Sequence, residues 1–224
     1  MTLVIAAEGE NFVIIGADTK NVINYPGGIR AESNMEDKLI QVANHVCITI
    51  AGVGDIGTQF IEKFKATLKS REDGATYIAE KFSSFCKKEF FTKIADTIKD
   101  SYSPLFLISG LDKIGNKYKK PIIFIEDSSD AFYPGRWKKY AFIGVDIIAN
   151  YLFSKHYRKS AGQNKLPNLI AQTIYDTSKC DGNVGCDMKI FIIDQNGVRE
   201  ISKADILKLY RTWEQEELES LVTE

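Results

Sequence analysis

The sequence predicts an α+β protein in which two sheets pack together with helix layers outside. Three observations carry this. Short apolar runs of strand length open both halves of the chain, each strand-rich half is followed by two helical stretches, and no regular strand–helix alternation of the doubly wound type occurs. The first run, Thr2–Ala7, and the second, Phe12–Ala17, flank Glu-Gly-Glu-Asn, which has hairpin chemistry. Lys38–Val42 and Val46–Ala51 repeat that pattern around Ala43-Asn44-His45. Between the two hairpins, Lys20–Asp37 is polar, contains Pro26-Gly27-Gly28 and reads as a surface loop.

Helical periodicity follows. Ile56, Phe60, Phe64 and Leu68 recur every four residues and place an apolar stripe on one face. After a break at Ser70–Gly74, Ile78, Phe82 and Phe85 mark a second helix that fades near Lys99. The second half returns to strands at Leu105–Leu111, Ile122–Glu126 and Tyr140–Ile143. Helices follow at Asp146–His156 and at Pro167–Ser178, the latter with proline at a favourable first position. A strand at Met188–Ile193, a turn at Asp194–Gly197 and a helix from Lys203 to Leu218 end the chain. With no repeat, low-complexity tract or linker, residues 1–224 read as a single domain.

Composition narrows the function. Lys and Arg total 29 against 30 Asp and Glu, a net charge of −1, which gives nucleic acid and anionic membrane no electrostatic purchase. No run approaches the ~20 apolar residues that a membrane helix requires. The first residues lack the basic and apolar regions of a signal peptide, so the expected location is cytoplasmic. Cys47, Cys86, Cys180 and Cys186 have no metal-type spacing and only His45 and His156 are present, so neither a metal site nor a cofactor is expected. Both histidines are expected at the surface, His45 in a turn and His156 at a Lys/Arg-rich helix end.

Few residues remain for chemistry. Gly52-Val53-Gly54-Asp55-Ile56-Gly57 has the glycine spacing of a dinucleotide loop. The required second strand with its acid about 20 residues on is missing, since Glu72 and Asp73 lie in a break between helices. The start of the chain offers something else. Removal of Met1 would leave Thr2 with a hydroxyl and a free α-amine, whose unperturbed pKa of roughly 7.7–8 lets it take the hydroxyl proton near neutral pH. Many chains begin Met-Thr, and a lone charge at a strand end is ordinarily solvated. The weight comes from the joint presence of Asp18 and Lys38, a lysine to stabilise the alkoxide and an aspartate to hold the lysine.

In order and spacing, Thr2, the Gly16-Ala17-Asp18-Thr19-Lys20 block, the strand begun by Lys38, and Ile48-Thr49-Ile50-Ala51-Gly52-Val53-Gly54-Asp55 resemble the proteasome β-subunit family of N-terminal-nucleophile hydrolases. The likeness continues through Leu107-Ile108-Ser109-Gly110-Leu111-Asp112 to the last strand. It implies a four-layer αββα sandwich. Thr2 matches the nucleophile, Asp18 the acid ending the second strand, Lys38 the active-site lysine, and Gly52 the glycine whose N–H helps form the oxyanion hole. Asp181 stands where the family has an aspartate after its fourth helix. Lys20, Asn21, Val22, Ile50 and Gly54 fall where the family lines its substrate cleft. Two serines of the pattern are missing, one near Val145 in Phe142-Ile143-Gly144-Val145-Asp146 and one near Val184 in Asp181-Gly182-Asn183-Val184-Gly185.

The resemblance implies a threonine-type peptidase, with a peptide or unfolded protein as substrate, a homo-oligomeric ring and an ATPase partner. The catalytic β type is expected over the noncatalytic α type, because the first strand starts at once and Thr2 and Lys38 occur together. The absence of a leading segment before Thr2 makes the chain look more like the bacterial ring peptidase than a self-processing subunit. Two alternatives stay open: an archaeal-type transpeptidase on the same fold, and a noncatalytic ring subunit.

Overall fold

The computed structural model describes residues 2–24, 30–33, 37–52, 54–93 and 104–209. Twelve strands and four helices are assigned among them, with residues 203–209 forming a further helical stretch. The first half contains β1 (Leu3–Glu8), β2 (Val13–Asp18), β3 (Asn21–Asn24), β4 (Arg30–Ser33), β5 (Leu39–Ala43), β6 (Val46–Ala51), α1 (Gly54–Thr67) and α2 (Ala75–Lys93). The second contains β7 (Leu105–Ile114), β8 (Lys117–Asp127), β9 (Gly135–Trp137), β10 (Tyr140–Gly144), α3 (Ile147–His156), α4 (Leu166–Cys180), β11 (Met188–Asp194) and β12 (Gly197–Glu200).

The strands form two five-stranded sheets, ordered β10-β1-β2-β11-β12 and β5-β6-β7-β8-β9, and a separate β3-β4 hairpin. Every pairing is antiparallel. Alternate residues of one strand serve two cores, because successive side chains of a strand point to opposite faces. Leu3, Ile5 and Ala7 of β1 join a cluster with Phe153 of α3 and Ile170 and Ile174 of α4. Val4 and Ala6 join Leu39, Leu107 and Ile123 of the other sheet. On that sheet's far side, Ile48 and Ile50 pack with Phe60, Ile61 and Phe64 of α1 and Ile78 and Phe82 of α2. Burial on both faces explains why β1, β2 and β6 read as unbroken apolar runs in a protein whose sheets are antiparallel.

The predicted strands of the sheets are all present, with ends shifted by a few residues, and the four predicted main helices appear. Two expectations are corrected, for the Lys20–Asp37 loop and for His45, and two strands are added. Part of the Lys20–Asp37 loop is the β3-β4 hairpin, pairing Val22 with Glu32 and Asn21 with Ser33, in which the β-branched pair Val22-Ile23 supplies strand propensity within polar surroundings. Strands β9 and β12 are edge strands whose Gly135-Arg136-Trp137 and Gly197-Val198-Arg199-Glu200 sequences lack an apolar run. Finally, His45 is buried. Its ring stacks on Tyr118 at 3.6 Å, with Nε2 3.3 Å from the Gln195 carbonyl oxygen, because the β5–β6 turn meets the β11–β12 turn. Val198 N–H donates to the Asn44 carbonyl at 3.1 Å across that junction. The part of the second helix predicted beyond Lys93 and the part of the last helix beyond residue 209 lie outside the described residues.

Glu126 of β8 interrupts the apolar surroundings of α2. It has no exposed surface, and neither carboxylate oxygen has a hydrogen-bond partner among the described residues. Burial pushes its carboxyl up from an ordinary 4.5 to about 9, partly offset by Lys87. The native chain therefore holds a proton that the unfolded chain releases above its own pKa. Stability from this group is complete below about 4.5 and declines as pH rises toward 9. Urea unfolding at a series of pH values should show that decline in the parent protein and a flatter profile in Glu126→Gln.

Candidate active site

The site forms where the start of β1, the end of β2 and the start of β5 meet the loop after α4. Thr2 precedes β1 and is 6% exposed. Its carbonyl accepts the Val145 N–H at 2.9 Å, just past the point where Leu3 pairs with Gly144 of β10. Gly144 has φ +95°, and a Cβ there would lie 1.7 Å from the Thr2 carbonyl oxygen. Only glycine permits this approach, so the backbone holding Thr2 depends on it.

Asp18 ends β2 and is fully buried. Its Oδ1 accepts the Leu3 N–H at 2.9 Å and the Lys38 ammonium at 3.0 Å. Its Oδ2 accepts the Lys20 N–H at 3.2 Å and the Gly185 N–H at 3.0 Å. Lys38, 4% exposed, also donates to the Lys20 carbonyl at 2.5 Å. A buried ion pair of this kind persists when further hydrogen bonds satisfy both partners, and here they do. One carboxylate oxygen thus binds both the lysine and the peptide unit that follows Thr2.

Lys20 lies half-buried beside this pair, its ammonium donating to the Gly182 carbonyl at 2.7 Å and pairing with Glu32 of β4 at 3.0 Å. Asp181 caps the C-terminus of α4. Its Oδ1 accepts the Asn183 N–H and side-chain amide at 2.8 and 2.9 Å, and its carbonyl accepts the Val184 N–H at 3.1 Å. Its carboxylate therefore shapes the 181–185 turn, and that turn reaches Asp18 through Gly185. A Cβ on Gly185 would lie 2.7 Å from the Lys20 Cβ.

The remaining sequence-predicted residues sit around this centre. Gly52 follows β6 with φ +121° and is exposed. Gly54 opens α1. Asn21 and Val22 lie half-buried in β3. Ile50 is 3% exposed and belongs to the helix-side core, where its Cδ1 fills the space a side chain on Gly57 would need. Val184 is 3% exposed within the α3–α4 core, and Val145 packs against the same cluster. Neither valine brings a polar group to the site.

Two contributors escaped the sequence reading: the Gly185 N–H and the Gly144 backbone. Both act through main-chain atoms, and their only signal is a glycine, at the end of β10 for Gly144 and in the loop after α4 for Gly185. Among the described residues no group of His, Cys, Asp and Glu is arranged to hold a metal, and no helix is long and apolar enough to cross a membrane.

Mixed α/β architecture with antiparallel sheets, and a lysine–aspartate pair beside the residue that begins the first strand, define a proteasome-type subunit. The proteasome subunit family model matches residues 2–193, and the chain belongs to that family. No curated protein matches the sequence.

Asp18→Asn removes the carboxylate charge that the buried Lys38 ammonium faces at 3.0 Å. The expected loss of stability is about 3–5 kcal/mol, read from urea denaturation. An unchanged midpoint would mean that the pair does not organise this part of the fold.

Proposed function

We propose that the chain is a threonine-type peptidase whose nucleophile is Thr2 after removal of Met1. The observation that carries this reading is the shared Asp18 Oδ1, which ties Lys38 to the backbone of the residue following Thr2. In this reading the Thr2 hydroxyl attacks a peptide carbonyl and its own α-amine takes the proton. The Lys38 ammonium stabilises the alkoxide, and Asp18 holds that ammonium in place. The Gly52 N–H stabilises the oxyanion, and the left-handed conformation at Gly52 suits close backbone approach to substrate. The leaving amine departs with a proton, and water then hydrolyses the ester and frees Thr2.

Lys20, Asn21, Val22, Ile50 and Gly54 are the proposed cleft residues, and Asp181 is a supporting residue acting through its turn. Residues 1–224 form one domain in this reading, and the three core clusters support a four-layer αββα arrangement. The remaining proposals follow from family membership: a peptide or unfolded protein as substrate, a homo-oligomeric ring, an ATPase partner and a cytoplasmic location.

One observation favours a second reading, transpeptidation. Val145 and Val184 are packed in an apolar core, so these two positions offer no hydroxyl to orient the water that would hydrolyse the acyl-enzyme. An incoming amine uses the same ester and oxyanion site and would compete with water.

The test is turnover of a peptide library by the protein lacking Met1, with and without excess free amine. Thr2→Ala should keep the fold and lose all turnover. Lys38→Ala should lower kcat by about 10²–10⁴. Amine adducts outnumbering hydrolysis products would select the transpeptidase. Full activity of Thr2→Ala would overturn both enzymatic readings, and an inert parent protein would leave a noncatalytic ring subunit.

A further inference from the structure

The β3-β4 hairpin carries Asn21 and Val22, two of the proposed cleft residues, yet it stands outside both five-stranded sheets. Each of its strands is four residues long. A two-stranded hairpin of that size is marginal by itself in water, so its position beside the site depends on ties to the body of the protein. One tie is the chain itself at Lys20. Another is an ion pair. Glu32 of β4 stands opposite Val22 and reaches back to the Lys20 ammonium at 3.0 Å, the diagonal contact that long side chains make across a hairpin. The same ammonium donates to the Gly182 carbonyl at 2.7 Å, in the turn after α4.

Lys20 thus has two roles. Its backbone serves the buried centre: the N–H donates to Asp18 Oδ2 at 3.2 Å, and the carbonyl accepts the Lys38 ammonium at 2.5 Å. Its side chain serves the periphery, where it joins β4 to the 181–185 turn. Asp18 and Lys38 also bind each other directly at 3.0 Å, and Asp18 accepts the Leu3 and Gly185 N–H groups besides. Loss of the Glu32 contact therefore leaves every hydrogen bond of the centre in place. What it releases is the hairpin.

We infer that Glu32 is a positioning residue for substrate: acting through Lys20, it latches the β3-β4 hairpin to the 181–185 turn and so fixes the side of the cleft that Asn21 and Val22 form. The inference rests on the peptidase reading and deepens it, because it separates a residue that sets KM from those that set kcat. Glu32 keeps 44% of its side-chain surface exposed and Lys20 16%. A pair of that exposure shifts an equilibrium by a factor of about two to five. That is enough to alter substrate binding and too little to decide folding.

The test compares the full chain lacking Met1 with its Glu32→Asp, Glu32→Gln and Glu32→Lys variants. KM for a peptide that the parent turns over should rise about two- to fivefold in Glu32→Gln. It should rise further in Glu32→Lys, which sets two ammonium groups together, and least in Glu32→Asp, while kcat stays within about twofold throughout. Raising the salt from about 0.05 to 0.5 M should lift the parent's KM toward that of Glu32→Gln and leave the variant's own KM unmoved, because salt screens a partly exposed pair. Amide hydrogen exchange without substrate gives a readout independent of turnover. In Glu32→Gln it should quicken at β3, β4 and the 181–185 turn together and stay unchanged in β1 and β2. Quickened exchange in a protein that turns over no peptide would keep the latch and remove the peptidase reading. Unchanged exchange, or quickened exchange with KM unmoved, would overturn the inference. A fall in kcat at constant KM would overturn it too, since that would place Glu32 in the chemistry itself.

Discussion

The carboxylate of Asp18 is the point on which the site depends. Three of its four hydrogen bonds come from segments brought together by the fold, Leu3 at the start of β1, Lys38 before β5 and Gly185 after α4, and the fourth comes from the N–H of Lys20, two residues on. The donor at Gly185 is 167 residues away in the chain. Each donor meets one of the two carboxylate oxygens, and that carboxylate in turn pairs with a lysine that has almost no contact with water. The carboxylate fixes the spacing of Thr2 and Lys38 as well, because Leu3 follows the first directly and the second binds the same oxygen.

That constraint is compatible with folding because of how the two sheets are built. The strand carrying Asp18 is buried along its whole length and is paired on both sides, by β1 and β11. Its carboxylate emerges at the end of a segment with no freedom to slip, since a shift of one residue would exchange the helix-facing and sheet-facing side chains. The glycines at 144 and 185 then let backbone approach where any side chain would collide. The candidate site residues Thr2, Asp18 and Lys38 thereby sit at or beside strand ends, flanked by the β3-β4 hairpin and the 181–185 turn.

The strands of the two sheets were largely evident in the sequence because burial on both faces makes them continuous apolar runs, as in Leu3–Ala7 and Val46–Ala51. The elements that were missed lack that signature. Strands β9 and β12 sit at sheet edges and carry charged residues, and the β3-β4 hairpin is short and polar. His45 was misjudged because its burial comes from a ring stack with Tyr118, a residue of the β7–β8 hairpin far along the chain. At the site, Asp18 and Lys38 stood out through their company with Thr2 and through family likeness. Their direct contact and the participation of Gly185 were not readable, because pairing across 20 and 167 residues leaves no periodicity in the sequence.

Everything proposed for the chemistry requires that the residue beside this carboxylate be a true N-terminus, since the base is the α-amine of Thr2 itself. The most direct measurement is the intact mass and N-terminal peptide of natively expressed protein from a preparation that turns over substrate. The account predicts a mass lower by one methionine and a free, unmodified amine on Thr2. Active protein that retains Met1, or whose Thr2 amine is acetylated, would contradict it.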